Sequence, residues 1–287
     1  MFYPASELVL NANNQVYHLG ISPEAIAEKI ILVGDQDRVH LVSNFFDTIR
    51  HTSQHREFVV HTGTFNGKEI TVISTGIGTD NIDIVINEID ALFNIDLLSR
   101  AEKTYKKKVE FIRIGTCGIL QRNIPLHAYI LSEHAIGLDN IAHFYQIPYS
   151  ESEQQNTVFL NKKLGLPENV IPYFIDATPQ LIGKLSSEKT VSGITITSSG
   201  FYGPQGRELR AKKSVQNMNE HIENTIIAGK KIVNFEMESS AIFALSKALG
   251  HSATTICLGV ANRPNQMFSK GFELEMNELI HYVLERI

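Results

Sequence analysis

Apolar residues recur along this chain with two different periods, and the two patterns alternate. Short runs rich in β-branched residues are typical of buried strands, whereas apolar residues three and four positions apart are typical of helices. Strands are predicted at 30–33, 57–62, 69–74, 109–114, 128–132, 191–197 and 253–260. Helical spacing is present at 39–49, 79–98, 236–249 and 272–287. The chain is therefore predicted to fold as alternating strands and helices.

This alternation predicts an α/β fold: a three-layer α/β/α sandwich around a central sheet that is parallel or mixed. Asn66 and Gly67 predict a tight hairpin between two of the strands. Thr79, Asp80 and Asn81 are candidate caps for the helix that follows them. Residues 121–189 show no clear pattern, but no linker or internal repeat divides the chain. We therefore predict a single domain over residues 1–287.

Composition narrows the class of protein. The chain has 287 residues, of which 43% are hydrophobic and 20% charged, as in an ordinary globular enzyme. The formal net charge of -5 argues against nucleic acid as a partner. No apolar run approaches the ~20 residues that a membrane-spanning helix needs, and the N-terminus lacks a secretory pattern. The sequence thus predicts a cytoplasmic protein without membrane attachment.

Cysteine and histidine spacing gives no sign of a metal site. Cys117 and Cys257 are too few for a disulfide framework or a zinc cluster. His51 and His55 are four residues apart, but the residues between them favour a loop over a helix face that could hold zinc. No metal and no organic cofactor is expected.

Glycines and arginines gather at the predicted ends of strands, which is where ligands bind in α/β sheets. Gly34, Gly76 and Gly115 each begin such a segment. Glycine lets the backbone approach a ligand and present its N–H groups to an anion. Arg38 and Arg113 lie beside these segments. Each arginine alone fits a surface ion pair, but several converging on glycine-rich segments predict a phosphate site.

The segment 201–207 combines an aromatic ring, a side-chain amide and a guanidinium. Gln205 both donates and accepts hydrogen bonds, so it can read a carbonyl beside an N–H, whereas Arg207 only donates. Phe201 can cover the face of a flat ring. Glycine and proline around polar residues also form ordinary loops. The segment alone leaves both a base-binding site and a plain loop open.

Together the chain's motifs resemble the nucleoside phosphorylase I family, and within it the uridine phosphorylases. The matching segments occur in the family's order and are 18–20, 33–39, 55–58, 74–78, 113–118, 201–207 and 234–239. The resemblance implies a nucleoside phosphorylase-like fold and three groups of site residues. Phosphate is expected at Gly34, Arg38, Arg56, Arg113 and Thr116; ribose at His18, Met237 and Glu238; and the base at Phe201, Gln205 and Arg207.

The resemblance also implies the reaction and the assembly. It implies reversible phosphorolysis of uridine to uracil and ribose 1-phosphate in pyrimidine salvage, with inorganic phosphate as co-substrate. Arg207, Gln205 and Glu238 are the expected catalytic residues. In the family, His18 and Arg56 match residues that enter the neighbouring subunit's site, which implies a homo-oligomer, either a dimer or a trimer of dimers.

Three alternatives stay open at this stage. A purine nucleoside phosphorylase of the same fold would commonly carry an Asp after the last strand, where this chain has residues 259–263 without a carboxylate. A nucleosidase would dispense with the phosphate arginines. A nucleoside-binding protein would keep the pocket without turnover.

The chain departs from the family pattern at three places. Gln36 stands where a proline is usual in the first phosphate loop, and residues 79–81 replace a Gly-Pro-Ser type of sequence. Because Asp80 would repel an anion, we assign it to the helix cap. Cys117 stands where a second Thr or a Ser is common, and is expected to be a packing residue beside the site. Arg263 resembles a residue on a mobile flap, with no role assigned.

Overall fold

The computed structural model describes the backbone of residues 1–287 and the side chains of residues 1–160 and 163–287. Within this part of the chain, fourteen strands alternate with seven α-helices. The strands are β1 (Lys29–Val33), β2 (Thr48–His55), β3 (Phe58–Phe65), β4 (Lys68–Ser74), β5 (Ile95–Asp96), β6 (Ala101–Glu102), β7 (Glu110–Ile119), β8 (Tyr129–Gly137), β9 (Tyr173–Asp176), β10 (Thr190–Thr197), β11 (Ile226–Ile227), β12 (Lys230–Glu236), β13 (Ser252–Asn262) and β14 (Met267–Phe268). The helices are α1 (Gln36–Ser43), α2 (Thr79–Asn94), α3 (Glu151–Lys163), α4 (Pro179–Leu185), α5 (Met218–Asn224), α6 (Ser239–Leu249) and α7 (Glu273–Leu284).

Twelve of the described strands form one mixed sheet in the order β11-β12-β10-β8-β13-β7-β1-β4-β3-β2, with β14 added to β13 and β9 added to β8. The pairs β1–β4, β1–β7, β7–β13, β8–β10 and β10–β12 are parallel. The parallel strands β1, β4, β7 and β13 therefore present their carboxyl ends to the same edge. The predicted α/β fold with a central mixed sheet is confirmed.

Five strands of this sheet close into a ring. β12 pairs with β10 on one side and antiparallel to the end of β7 on the other, where Asn234 faces Ile119 and Phe235 faces Gly118. The circuit β7-β13-β8-β10-β12 thus returns to β7. The closure brings the ends of β7 and β12 side by side, and these two strands carry much of the predicted site.

Helices pack on both faces of the sheet. Ile30 and Leu32 of β1 belong to a core cluster with α2 and α6, whereas Ile31 and Val33 belong to a second cluster with α1 and α7. Alternate residues of a strand point to opposite faces, so a fully apolar strand such as β1 must be covered on both. Two helical layers around one sheet follow directly from that requirement.

The hairpin predicted at Asn66 and Gly67 is present between β3 and β4. Both residues have positive φ, 49° and 72°, as a two-residue hairpin turn requires. None of the described helices is both long and apolar enough to cross a bilayer.

The first predicted helix is too long. Helical spacing was predicted to run from 39 to 49, but α1 ends at Ser43 and Ile49 belongs to β2. The predicted loop between His51 and His55 is also wrong, because these residues lie in β2. Nearly every β2 side chain is exposed, so the strand lacks the apolar alternation that would have revealed it.

Strand lengths differ from prediction at two site segments. β7 continues to Ile119 rather than ending at 114, so the predicted turn at Gly115 is wrong and this glycine lies within the strand. The helix predicted from Glu236 begins instead at Ser239, and Glu236 is the last residue of β12. An acidic start is typical of a helix, but here the acidic residue ends the preceding strand.

The start and end of α2 also correct the prediction. α2 ends at Asn94 rather than near 98. Its N-cap is Gly78, and no side chain caps the helix, so the assignment of Thr79, Asp80 and Asn81 as caps is wrong. Asp80 is exposed in the first turn, where a negative charge is favourable to the helix dipole.

Candidate active site

A cavity of about 750 Å³ lies at the carboxyl ends of β1, β4, β7, β12 and β13. Most of the residues predicted from the motifs line this one space. They are Gly34, Arg38, Arg113, Thr116, Phe201, Gln205, Arg207, Met237 and Glu238. The ring closure between β7 and β12 and the adjacent β1 and β4 bring these separate segments together. Their convergence turns isolated motifs into one candidate site.

The partly buried guanidinium of Arg38 and the buried guanidinium of Arg113 lie near each other in one part of the cavity. Arg38, in the first turns of α1, reaches the carbonyl of Ile114 through its Nη1 at 3.4 Å. Burial lowers the pKa of Arg38, and the nearby positive charge of Arg113 lowers it further. Two like charges at short range repel each other unless an anion lies between them. This part of the cavity therefore suits an anion such as phosphate.

Gly34 and Thr116 flank these arginines. Gly34 follows β1 directly, and a side-chain Cβ there would come within 3.4 Å of the carbonyl of Gly76. The loops after β1 and β4 therefore approach each other closely at this position. Thr116 is partly exposed within β7 and lines the cavity, which makes its hydroxyl available to a ligand.

Arg113 is held by acidic residues from the end of β12. Its Nη2 contacts Oε2 of Glu238, and its Nη1 lies 3.4 Å from Oε2 of Glu236. The same Nη1 is 3.2 Å from the sulfur of Cys257. Burial acts to lower the pKa of Arg113, but these carboxylates outweigh it and raise the pKa above its ordinary value. Arg113 therefore stays charged inside the protein.

The side chain of Arg113 can take this position because residue 115 is a glycine. A Cβ at Gly115 would lie 2.0 Å from Nη1 of Arg113. The guanidinium folds back along its own strand and occupies the space where a side chain at 115 would be. Gly115 is therefore needed for side-chain room and not for a turn.

Glu238 is a buried carboxylate in the wall of the cavity. Its Oε1 accepts a hydrogen bond of 2.8 Å from the backbone N–H of Gly78, and its Oε2 contacts Arg113. Burial raises the pKa of Glu238; Arg113 opposes this, and Glu236 reinforces it. A carboxylate oxygen accepts more than one hydrogen bond. Both oxygens therefore keep capacity for hydroxyl groups of a ligand.

Glu236 has a structural role. Its carboxylate accepts hydrogen bonds from the backbone N–H groups of Glu238 and Ser239 and from the hydroxyl of Thr197. These bonds satisfy the free N–H groups at the start of α6. Glu236 thereby fixes the segment that carries Met237 and Glu238.

Gln205 and Arg207 form a polar pair in the wall of the same cavity. Nη1 of Arg207 donates to Oε1 of Gln205 at 2.5 Å and to the carbonyl of Phe201 at 2.6 Å. Gly206 between them has φ 69°, which glycine adopts readily. Burial lowers the pKa of Arg207. The amide and guanidinium can read the edge of a heterocycle from one side.

Phe201 lies beside this pair, and half of it is exposed. The guanidinium carbon of Arg207 is 3.7 Å from its ring centroid, so Arg207 covers one face of the ring. A base that stacks on Phe201 must use the other face or displace Arg207. Phe268 from β14 and Ile77 add further exposed apolar groups to the cavity wall.

Arg263 adds a cation behind the polar pair. Its Nη1 donates to the carbonyl of Gln205 at 3.0 Å, which fixes the backbone of the segment 201–207. Burial and then the nearby Arg207 lower the pKa of Arg263 to about 10. From the sequence, Arg263 had no role beyond a resemblance to a flap residue. The structure shows that it supports Gln205.

His18 and Arg56 lie outside the cavity, unlike the other predicted residues. Nδ1 of His18 is 2.6 Å from Glu88, and the guanidinium of Arg56 lies 5.5 Å from the ring centroid of Tyr17. His55 links the two through a 2.7 Å hydrogen bond between its Nδ1 and the carbonyl of His18. Within one chain, these residues form a separate surface cluster.

Several lining residues were not predicted from the motifs. Asp35, Gln36 and Asp37 belong to the glycine-arginine segment at the start of α1, and Glu57 follows Arg56. Their positions between predicted residues were the available signal. Cys117 is buried, lines the cavity and packs in a cluster with Ile119 and Cys257, and burial raises its pKa well above the ordinary value. Among the described residues, no cluster could hold a metal ion.

Comparison with known proteins places the chain in a family. The family model of the Phosphorylase superfamily matches residues 28–287. The chain belongs to the phosphorylase superfamily. A crystal structure of a Trypanosoma brucei nucleoside phosphorylase, reported to show uridine phosphorylase activity, is 32% identical with a TM-score of 0.89, covering 98% of this chain and 99% of that one.

Other members of the phosphorylase superfamily are similar at lower identity. The uridine phosphorylase of Thermococcus kodakarensis is 29% identical over 262 residues, which cover 90% of this chain and 82% of that protein. The DeoD-type purine nucleoside phosphorylase of Oceanobacillus iheyensis is 24% identical over 246 residues, or 83% and 84% of the two chains. The chain is thus a nucleoside phosphorylase homologue, with relatives named for both pyrimidine and purine substrates.

Proposed function

We propose that this chain is a uridine phosphorylase, which transfers the ribosyl group of uridine to inorganic phosphate. The observation that carries the proposal is the presence of the Gln205–Arg207 pair in the same cavity as Arg38 and Arg113. Glu238 lines this cavity too and contacts Arg113. Together these groups suit a base, a pentose and an anion.

The chemistry follows from where charge develops. Phosphate held by Arg38 and Arg113 attacks the anomeric carbon as the glycosidic bond breaks, and the electron pair of that bond leaves with the base. Negative charge then spreads onto the carbonyl oxygens of uracil. Hydrogen-bond donors placed in advance at that position stabilise the transition state, and this is the role we assign to Arg207 and Gln205.

Glu238 and Met237 position the sugar. Glu238 accepts hydrogen bonds from ribose hydroxyls, and Met237 packs against the ring. Holding sugar and phosphate in line removes much of the entropy cost of bringing two reactants together. His18 and Arg56 contribute from a neighbouring subunit, since both are outside their own cavity and half-exposed or exposed at the surface.

We also propose an assembly, a domain organisation and a cellular compartment for this enzyme. The active form is a homo-oligomer, either a dimer or a trimer of dimers, in which each site receives His18 and Arg56 from a neighbour. Residues 1–287 form a single nucleoside phosphorylase-like domain. The enzyme acts in the cytoplasm in pyrimidine salvage, needs neither metal nor organic cofactor, and uses phosphate as its co-substrate.

One experiment tests the substrate and the reaction together. Purified protein is incubated with uridine or inosine, each with and without phosphate, and free base is measured by chromatography. We expect uracil to appear only when phosphate is present. Hypoxanthine instead of uracil would make the enzyme a purine phosphorylase. Uracil release without phosphate would indicate a nucleosidase, and no release from either substrate would indicate a binding protein.

A further inference from the structure

The hairpin that carries Arg56 has an unfavourable backbone conformation. β2 and β3 are joined by a two-residue turn, with His55 paired to Phe58 and Arg56 and Glu57 between them. Arg56 has φ 55°, in the left-handed region that favours glycine. A non-glycine residue there costs about 1 to 2 kcal/mol. Such strain persists only where surrounding contacts hold it.

Two side chains donate hydrogen bonds to the backbone carbonyl groups of this turn. Nε2 of Gln36 donates to the carbonyl of Arg56 at 3.2 Å. The hydroxyl of Ser74 donates to the carbonyl of Glu57 at 2.7 Å and accepts from the N–H of Val59 at 2.7 Å. Ser74 ties the turn to the sheet, whereas Gln36 ties it to another site element.

Gln36 belongs to the anion-binding part of the cavity. It is the first residue of α1, two positions before Arg38, and it lines the cavity together with Gly34. Any shift of this segment on anion binding moves the amide that holds the carbonyl of Arg56. A proline at position 36, which the family commonly has, offers no side-chain donor for this bond.

The side chain of Arg56 points away from its own cavity. It is exposed and packs against Tyr17, with Nη2 at 3.5 Å from the tyrosine hydroxyl. The main chain of Arg56 is therefore tied to one anion site, while its guanidinium lies outside that site, against Tyr17. The hydrogen bond from Gln36 is the direct link between that site and Arg56.

We propose that Gln36 is a positioning residue that couples the anion-binding segment of one subunit to Arg56, which completes the phosphate site of its neighbour. The inference rests on the proposed phosphorolytic function and on the shared sites of the oligomer. Gln36 acts through the backbone of Arg56 and sets the direction in which the guanidinium leaves the hairpin. Phosphate affinity in one site thereby depends on a side chain of the other subunit.

The first test is Gln36→Met, which keeps the length of the side chain and removes the donor. Loss of one hydrogen bond predicts a rise of about three- to ten-fold in KM for phosphate. KM for uridine and kcat at saturating phosphate are expected to change little. Gln180→Met on the exposed face of α4 is the matched control and should leave all three constants unchanged.

The second test separates the two subunits. One chain carries Arg207→Ala, so its own cavity is nearly inactive, and the other keeps an intact cavity; hybrids are purified through two affinity tags. Gln36→Met is placed either in the Arg207→Ala chain, which donates Arg56 to the working site, or in the chain that owns the working site. We expect a raised KM for phosphate only in the first hybrid.

The other outcomes overturn the inference. A raised KM only in the second hybrid, or equally in both, would mean that Gln36 acts on its own anion site. An unchanged KM in the Gln36→Met homo-oligomer, or a chain that remains monomeric when active, would remove the coupling altogether. Failure of the proposed function is distinguishable, because unmodified protein would then show no uracil release that depends on phosphate.

Discussion

At the residue scale, the side chain of Arg207 contacts both Gln205 and the ring of Phe201. Replacing it with alanine removes the donor that is expected to stabilise the leaving base. We predict that Arg207→Ala lowers kcat/KM for uridine by about 10² to 10³, as the loss of one preorganised donor does elsewhere. Steady-state kinetics with saturating phosphate measures this.

The control for Arg207 is Arg210→Ala. Arg210 is exposed shortly after Arg207 in the chain, so its loss changes the net charge of the protein by the same amount as the loss of Arg207. The kcat/KM of the Arg210→Ala variant for uridine should stay near that of the unmodified enzyme. A similar loss in both variants would point to a general effect of charge and would remove Arg207 from the catalytic set.

Glu238 gives a prediction about pH. Only its ionised form accepts hydrogen bonds at both oxygens, and burial raises its pKa. Activity is therefore lost as pH falls through a pKa above the ordinary glutamate value of about 4.3. The profile of kcat/KM for uridine, which reports the free enzyme, should show this acid limb.

Glu238→Gln isolates that limb from the titration of phosphate itself. The amide cannot ionise, so the part of the limb due to residue 238 should disappear, along with most of the activity. Both proteins are measured in the same buffers with the same phosphate. Identical acid limbs in the two profiles would assign the titration to another group.

Which residues line the candidate cavity was largely predictable, because Gly34, Arg38 and Glu238 lie in motifs with recognisable spacing. The partners of those residues were not. The contact between Arg113 and Glu238 joins residues 125 positions apart, and it depends on the closure of β12 onto β7. No local pattern reports such a contact.

At the scale of elements, β7 shows how a strand makes room for a buried guanidinium group. Gly115 leaves space for the guanidinium of Arg113, and a Cβ would lie 2.0 Å from Nη1. We predict that Gly115→Ala displaces Arg113 and raises KM for phosphate at least ten-fold, about 1.4 kcal/mol. Kinetics and the change of Tm with phosphate both measure the effect.

Gly271→Ala is the matched control for Gly115. Nothing lies within 4 Å of a Cβ at Gly271, and its backbone is not in the left-handed region. Its KM for phosphate should be unchanged. An unchanged KM in Gly115→Ala as well would show that Arg113 has another rotamer that serves phosphate equally.

Helix α4 gives a prediction about stability alone. Gly183 is exposed within α4, and a Cβ there would meet nothing within 4 Å. Alanine is a better helix former than glycine, so Gly183→Ala should raise the free energy of unfolding by about 0.5 to 1 kcal/mol. Denaturant unfolding measures the gain, and a loss of stability would contradict the helical conformation at this position.

Element type was predictable where one face is apolar and failed where it is not. β1 and β4 have long buried runs, and their positions were predicted well. β2 was taken for helix and loop because its side chains are mostly exposed and polar. The last residue of β12 was taken for the start of α6 because Glu236 fits a helix N-terminus chemically, even though it serves that terminus from outside the helix.

At the scale of the whole molecule, the ring and the two helical layers hold Arg38 close enough to Arg113 for the charge of Arg113 to lower the pKa of Arg38. Phosphate binding should relieve their repulsion and stabilise the folded state. At a concentration one hundred times its Kd, a ligand raises the free energy of unfolding by about 2.7 kcal/mol. We predict that phosphate raises Tm by several degrees, measured by thermal unfolding against chloride of equal ionic strength.

Arg38→Gln tests the source of that stabilisation. With one positive charge removed, the repulsion is already relieved and the anion site is weakened, so phosphate should shift Tm far less. An equal shift in phosphate and chloride for the unmodified protein would show a general salt effect in place of binding.

Ring closure also decides how much of the sheet stays open to other molecules. The strand order ends at the two-residue β11 and at β2. β2 is therefore the long free edge, and its exposed side chains include Arg50, Gln54 and His55. Charged and polar side chains on an edge discourage strands of separate molecules from pairing. The exposed polar side chains that kept β2 from being predicted thus also discourage ordered aggregation of the folded enzyme.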